Sequence, residues 1–520
     1  MKRYALISVS DKTGIDFLAS ELVKIGFEII STGGTADFLQ KNNIPVIPIS
    51  EWTGFPEILD GRVKTLHPKV HAGILADLDL PEHVTEMQKL NLQPIELVAV
   101  NLYPFEKTVA NPSSSENDII ENIDIGGPAL IRSAAKNFRH VNILTDSADF
   151  SETLSQLQKN GKTDLEWRRN LAAKAFAHVE RYDKAISDYF QRTISSDSKS
   201  ASENDLSALK TLQISAPLVQ AMRYGENPHQ KAGYFSSDTE GWKQLHGKPL
   251  SYNNLQDLDA ALRAINLYEI PTALIFKHTI PCGIGSSENL TDAYRKAFAC
   301  DPLSPYGGII IVNRTLGLDT VSAINEIFSE IIIAPDFDEE ALAVLKKRKD
   351  RRLVQYNMEK LLSGRTAFEV RSIISGFLVQ EWDANICSEE GWKVVTERKP
   401  SSEETEALRF AWKAAALLKS NSIALTYKDR TIGLGSGQTS RIDSAKIAVS
   451  KAQEFSHDVA KAVCASDGFF PFRDCVDFLA KHNVKAIIQP GGSKGDADVI
   501  AACNEFGISM IMTGMRHFRH

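Results

Sequence analysis

The stretch IFKHTIPCG, residues 275–283, sets a lysine beside a histidine at the end of an apolar run, with Cys282 four residues further on in a Pro–Gly turn. Zinc at His278 and Cys282 would need two more ligands at a recognisable spacing, such as a PCxxC pair. PCGIGSS supplies only the first cysteine. Alternation along a regular strand sends Lys277 and His278 to opposite faces. They converge only if the backbone leaves strand geometry, as Pro281 and Gly283 just beyond would allow. Converged, the ammonium offers positive charge to a developing oxyanion while the imidazole accepts a proton, the profile of a general base for amine attack on a carbonyl. The plainer reading is a strand end with a hydrogen-bonded core histidine.

A second set of candidates lies near the N-terminus. SVSDKTG and STGGT each follow an apolar strand, and small hydroxyl-bearing loops with one lysine make a phosphate cradle where a strand hands over to a helix. Two capped turns would use the same residues. Neither loop matches GxGxxG or the Walker pattern, so a dinucleotide or nucleoside triphosphate is not indicated. GRVKTLHPKVHAG adds Arg62, Lys64, His67, Lys69 and His71, and strand alternation predicts Arg62 and Lys64 on one face, aimed at an anion. His67 and His71 lack the HExxH context and the nearby carboxylate of a metal site. Tyr103 in NLYPFEK stands at a strand end as a proton donor. ENIDIGGPALIRSAAKN carries Asp124, a Gly–Gly turn, Arg132 and Lys136. Together these groups can stabilise an oxyanion and move protons without a metal, although each alone reads as a surface charge or a cap.

Further along, Arg223 and Tyr224 precede a run of turn residues, and Asn254 opens a helix where a cap explains it. SNSIALTY holds Asn421, SGQTSR holds Gln438 and Arg441, SDGFFPFRD holds Asp467, and the chain closes on the basic, aromatic MRHFRH.

The elements that must position these residues are α/β. Residues 1–50 alternate strand and helix, predicting a parallel sheet with ligands at the strand ends. ELVAVNLYPF and HVNILTD add strands, and a long helical stretch from Arg168 to Phe190 closes this part. SSDSKSASEND, residues 195–205, is polar and aperiodic and marks a boundary. Beyond it, ACDPLSPYGG and ASDGFFPF share Asp-x-x-x-Pro-aromatic, as Asp301, Pro305, Tyr306 and Asp467, Pro471, Phe472. The echo is either chance or the trace of two similar subdomains. The predicted domains are 1–195 and 206–520, the latter divided at about 206–370 and 371–520.

At 520 residues the chain is too long for one core. Its 43% hydrophobic and 24% charged content is ordinary for a soluble protein, and a net charge of −7 argues against a broad nucleic-acid surface. Six cysteines without a CxxC pair fit a reducing compartment. The opening MKRYALISVSDKTG and the absence of a long apolar run predict no signal peptide, no membrane span and a cytoplasmic location.

SVSDKTG, STGGT, GRVKTLHPKVHAGIL, NLYPF, IDIGGPALIRSAAKN, RYGENPHQ, FKHxxPxG, SNSIAL, GSGQTSRID, SDGFFPFRD and a terminal RHFRH occur in one order from end to end. In this the chain resembles the bifunctional purine-biosynthesis family that joins AICAR formyltransferase to IMP cyclohydrolase. The resemblance covers essentially the whole length. It implies a methylglyoxal-synthase-like N-terminal domain and a C-terminal tandem of cytidine-deaminase-like subdomains without zinc. It also implies formyl transfer from 10-formyltetrahydrofolate to AICAR, then dehydrative closure of the formylated product to IMP, with folate as co-substrate and no tightly bound cofactor. By the resemblance, His278 is the general base, Lys277 assists the oxyanion or the leaving N10, and Asn421 and Asp467 orient the amide and folate. Lys64 would stabilise the oxyanion of ring closure, with Tyr103, Asp124 and Lys136 handling protons. Ser10, Lys12, Thr13, Gly34, Thr35, Arg62, Thr65, Asn101, Gly126 and Gly127 are the implied nucleotide positions of the first part. Arg223, Tyr224, Asn254, Gly307, Arg441, Arg516 and Phe518 are those of the second. Family members are homodimers with a shared transferase site. Two positions depart from the family: Ile280 replaces a polar residue, and Tyr306 stands where Phe is usual. The competing readings are a deaminase-like enzyme on a purine precursor and a zinc-independent nucleotide-binding module without turnover.

Overall fold

A computed structural model describes residues 2–59, 61–197, 206, 211–212, 214–237, 240–366 and 368–520. The chain divides into two compact units, Met1–Ser202 and Glu203–His520. Of the polar stretch 195–205, residues 195–197 end a helix and the rest lies outside the described residues.

In the first unit, β1 (Arg3–Val9), β2 (Phe27–Ser31), β3 (Val46–Pro48), β4 (Leu97–Asn101) and β5 (Asn142–Leu144) form a parallel sheet of order β3-β2-β1-β4-β5. The strands are apolar on both faces because helices cover both, among them α1 (Ile15–Lys24), α2 (Gly33–Lys41), α3 (Gly126–Lys136) and α4 (Leu165–Asp197). Strand order reverses between β1 and β4, so the loops leaving these strands open a crevice for a ligand. One expectation fails here. Arg62 and Lys64 do not lie on a strand: only Val63 pairs, through an isolated bridge to Ile58, and Gly61 turns the chain at φ +84°.

The second unit repeats one pattern twice. Its first half runs β6 (Trp242–His246), α5 (Tyr252–Ile265), β7 (Thr272–Lys277), β8 (Ile280–Ser286), α6 (Leu290–Cys300), β9 (Gly308–Val312), α7 (Leu318–Ile324), β10 (Ser329–Ala334), α8 (Glu339–Leu345) and β11 (Arg352–Tyr356). Its second half runs β12 (Lys393–Val394), α9 (Ser402–Ala416), β13 (Ile423–Thr426), β14 (Thr431–Gly435), α10 (Arg441–Glu454), β15 (Val463–Ser466), α11 (Asp474–Lys481), β16 (Ala486–Gln489), α12 (Asp496–Glu505) and β17 (Ser509–Met512). The sheet orders correspond strand for strand, β8-β7-β9-β10-β11-β6 and β14-β13-β15-β16-β17-β12. Alternate residues of each strand face two cores. Leu274 and Phe276 join Ala424 and Ala465 in a central core with α5 and α9, while Ala273 and Ile275 pack outward on α6. α10–α12 cover the outer face of the second sheet in the same way.

The Asp-x-x-x-Pro-aromatic echo does not mark equivalent places, since Asp301 follows the helix α6 and Asp467 follows the strand β15. A different pair does correspond: GIGS in β8 and GLGS in β14. A Cβ on Gly283 or Gly285 would strike the Ala297 or Ala293 carbonyl of α6. One on Gly433 or Gly435 would strike the Ala448 or Ser444 carbonyl of α10. Each hairpin strand thus touches its helix backbone to backbone. Gly433→Ala must push α10 off the sheet, with an expected loss of about 2–3 kcal/mol readable as a lower denaturation midpoint. An unchanged midpoint would show that the contact is loose.

Candidate active sites

In the first unit the candidate residues gather at the ends of β1, β2 and β4. Asn101 latches the loop after β1: its Oδ1 accepts the Ser10 and Asp11 N–H groups at 2.6 and 3.0 Å, and its Nδ2 donates to the Asp11 carbonyl at 2.7 Å. Asp11 in turn accepts from the Thr13 N–H and hydroxyl at 3.0 and 2.7 Å. The side chain of Thr35, an implied nucleotide contact, is buried and already engaged, its hydroxyl donating to the Val9 carbonyl and accepting the Val9 N–H at 2.9 and 3.2 Å. Gly33 and Gly34, which open α2, face open space where a Cβ would stand. Such a helix start with free N–H groups and no acidic residue in its first turn suits an anion.

Asp124 sits before the Gly126–Gly127 start of α3. Its Oδ1 accepts the Gly127 N–H at 2.8 Å, and its own N–H donates at 2.7 Å to the Tyr182 hydroxyl, which donates to the Asn122 carbonyl at 2.8 Å. Neither glycine can be replaced freely: a Cβ on Gly127 would meet the Asp124 carboxylate, and one on Gly126 would lie 2.6 Å from the buried Thr65 hydroxyl. Burial raises the Asp124 carboxyl above the usual carboxylate range, against the pull of the Gly127 N–H, the Lys64 ammonium and the Tyr103 and Gly126 N–H groups. The structure therefore brings Lys64, Thr65, Tyr103, Asp124, Gly126 and Gly127 into one place. Arg62 pairs instead with Glu121 on the surface. Lys136 is exposed at the far end of α3, ten residues or about 15 Å from Gly126, and is not brought to Asp124. His67 caps a helix by accepting the Lys69 N–H at 3.1 Å, and His71 lies 3.0 Å from the Ser133 hydroxyl. Neither belongs to a metal-ligating group. Among the described residues the group that could hold a cation is Asp77, Asp79 and His140, elsewhere on the unit.

In the second unit, β7 and β8 are joined by only His278 and Thr279, at φ +55° and +64°. Two left-handed residues in a two-residue loop turn the hairpin tightly, a conformation usually left to Asn–Gly. Each non-glycine residue there costs about 1–2 kcal/mol. The turn brings Lys277 and His278 onto one cavity of about 300 Å³, the departure from strand geometry that their convergence requires. The Lys277 ammonium donates to the Ser304 and Tyr306 carbonyls at 3.4 and 3.1 Å. Asp301 shapes that loop, accepting the Leu303 and Ser304 N–H groups at 3.1 and 3.0 Å and the Ser304 hydroxyl at 2.7 Å, and Lys451 of α10 lies 3.5 Å away. Burial works to raise the Asp301 carboxyl, but Ser304 and Lys451 hold it below its ordinary value. Burial pushes the Cys282 and Cys300 thiols up to about 12, so both stay protonated and fill space. Asp301, Ser304 and Lys451 are site residues that the sequence reading missed. Asp301 was visible only as half of a misplaced echo.

Asn421, Arg441 and Asp467 form a separate knot. The Asp467 carboxylate is wholly buried and accepts from Arg441 Nη1 at 2.5 Å, from the Ser422 N–H at 3.1 Å and from the Ser420 hydroxyl. Arg441 also donates to Asn421 Oδ1 at 2.8 Å and to the Ser466 hydroxyl at 2.7 Å. Arg441 is therefore no free nucleotide ligand. The terminal segment is tied to the knot: the His517 N–H donates to the Asp467 carbonyl at 3.2 Å, Ser420 and Arg519 are hydrogen-bonded, and Arg516 lies over the Phe518 ring at 4.5 Å. Ser436 links the knot to the cavity, which it lines, by accepting the Lys419 N–H at 2.9 Å. Arg441→Ala leaves a buried carboxylate unpaired, with an expected loss of about 3–5 kcal/mol and a fall in Tm of roughly 10 °C. An unmoved melt would mean that Arg441 faces solvent instead.

Arg223, Tyr224 and Asn254 lie outside the cavity. Asn254 is the third residue of α5, accepting the Ser251 N–H at 3.1 Å in a capping box and donating to Glu330 at 3.2 Å. Ser251 is the cap. Gly307, at φ +74°, donates its N–H to the Phe328 carbonyl at 2.8 Å.

Known proteins match along the whole chain, and the family models meet within the first unit rather than at its boundary with the second. A family model described as AICARFT/IMPCHase bienzyme matches residues 134–451, and one described as MGS-like domain matches residues 14–129. Proteins named bifunctional purine biosynthesis protein PurH, from Persephonella marina and Limosilactobacillus reuteri, are each 47% identical over 100% of both chains. A solved structure of ForH is 35% identical, covering 36% of this chain and 97% of its own, with a TM-score of 0.34.

Proposed function

The chain belongs to the AICARFT/IMPCHase bienzyme family and so catalyses formyl transfer to AICAR and ring closure to IMP; we propose that the second unit performs the transfer and the first the closure. The observation that carries the first assignment is the left-handed His278–Thr279 turn, which sets Lys277 and His278 on one cavity. The 5-amino group of AICAR attacks the formyl carbon of 10-formyltetrahydrofolate. His278 takes the amine proton, Lys277 faces the tetrahedral oxyanion, and the bond to N10 breaks as N10 gains a proton. Asn421 and Asp467 act from the buried knot by fixing the backbone beside Ser436, so their orienting role is indirect. Arg223, Tyr224, Gly307, Arg516 and Phe518 remain the candidates for holding the nucleotide. Ile280 lines the cavity, so the departure from a polar residue there bears on the efficiency of transfer.

In the first unit the carboxamide nitrogen attacks the new formyl carbon. Lys64 faces the oxyanion, Asp124 and Tyr103 move protons, and water leaves. Ser10, Lys12, Thr13, Gly34, Thr65, Gly126 and Gly127 surround the phosphate and ribose through backbone N–H groups and hydroxyls. The position of Lys136 in this chain lends no support to its proton role. We take 10-formyltetrahydrofolate as a co-substrate rather than a resident cofactor, and the working form as a cytoplasmic homodimer. Exposed Ile374, Phe377 and Leu378 on the hairpin of Glu369–Ile373 and Gly376–Gln380 supply apolar surface, on both of its faces, for a second copy. No described helix is long and apolar enough to cross a membrane.

The division is tested by following tetrahydrofolate and IMP separately. His278→Asn and Lys64→Ala enzymes should each fail to make IMP from AICAR, and a mixture of the two should make it, because the formylated intermediate passes from one to the other. A mixture that stays inactive would overturn the two-site division.

A further inference from the structure

We propose that Asp257 is a positioning residue of the transfer site, holding the His278–Thr279 turn in place. The inference rests on the reading of His278 as the base. Asp257 Oδ1 accepts the Thr279 N–H at 2.5 Å, and burial raises its carboxyl above the ordinary value against the pull of that N–H. The turn needs such a hold: both residues are left-handed, neither is glycine, and Thr279 is branched at Cβ. Released, the hairpin tip would relax toward ordinary φ values, and Lys277 and His278 would return to opposite faces.

The hold is rigid because α5 is anchored at its start by the Ser251–Asn254 capping box and along its length by Leu258, Ala261 and Ile265 in the central core. Asn254 lies three residues before Asp257, on the same face, and donates to Glu330, which pairs with Arg352 at 2.9 Å.

The test compares full-length Asp257→Ala, Asp257→Asn and Asp257→Ala/Thr279→Gly with His278→Asn, measuring kcat and KM for formyl transfer and thermal melts. Asp257→Ala should lose about 100-fold in kcat with KM for AICAR little changed. Adding Thr279→Gly should restore about tenfold, since glycine adopts the turn without strain. Asp257→Asn keeps an acceptor for the Thr279 N–H and should retain most of the wild-type kcat. If His278→Asn is inactive while all Asp257 variants match wild type, this inference fails and the base assignment stands. If His278→Asn transfers formyl normally, the base assignment itself fails. A loss in Asp257→Ala that follows only a lowered melt, with rescue by neither Thr279→Gly nor Asp257→Asn, reduces Asp257 to a structural residue and overturns the proposal.

Discussion

His278→Asn should release tetrahydrofolate from AICAR and 10-formyltetrahydrofolate about 100- to 10,000-fold more slowly than wild type, the usual contribution of a general base. Asn is the informative replacement. The residue at 278 stands at φ +55°, which Asn tolerates better than Ala, so the loss reports the missing imidazole rather than a collapsed turn. His278→Ala should lose at least as much and additionally strain the hairpin. Ring closure of supplied formylated nucleotide should proceed at the wild-type rate in both, because no residue of the first unit is changed. Normal transfer in His278→Asn would send the search for the base to other groups on the cavity, of which Asp301 and Lys451 already satisfy each other.

Lys64→Ala should slow closure of supplied formylated nucleotide by about 100- to 1,000-fold, the effect of removing one oxyanion-stabilising group, while leaving tetrahydrofolate release intact. Its pH dependence carries a second sign. Burial raises the Asp124 carboxyl, and the Lys64 ammonium is one of the forces pulling it back down. Without that cation Asp124 holds its proton to higher pH, so the acid limb of the residual closure rate should move up, measured through IMP absorbance. A limb that stays in place, or moves down, would separate Lys64 from Asp124 and undo the pairing. Unimpaired closure would remove Lys64 from the chemistry.

Much of the fold is legible along the chain because burial on both faces writes continuous apolar runs. YALISV, FEIIS, LVAVN, TALIF and GIIIV all become strands of helix-covered sheets. Arg62 and Lys64 show the limit. Val63 between them mimics strand alternation, yet Gly61 at positive φ turns the chain, so that Arg62 pairs with Glu121 while the Lys64 charge acts on Asp124. The internal duplication shows a subtler one. Asp-x-x-x-Pro-aromatic recurs at places that are not equivalent. The short GIGS and GLGS, which are equivalent, mark where a strand meets a helix with no room for a side chain.

By itself the sequence determined the α/β class, the family, the residue types at both sites and the loops that carry them, because apolar periodicity and long motifs are local properties of the chain. The tertiary structure decided which of those residues meet. Lys277 and His278 share a cavity because the chain turns left-handed at His278–Thr279, where Asp257, twenty residues upstream, accepts the Thr279 N–H. Arg441 and Asp467, both read as ligand-facing, neutralise each other in the interior. A charge in a motif is equally compatible with a bound phosphate and with a buried partner, and only the distance to that partner and the water excluded around it separate the two.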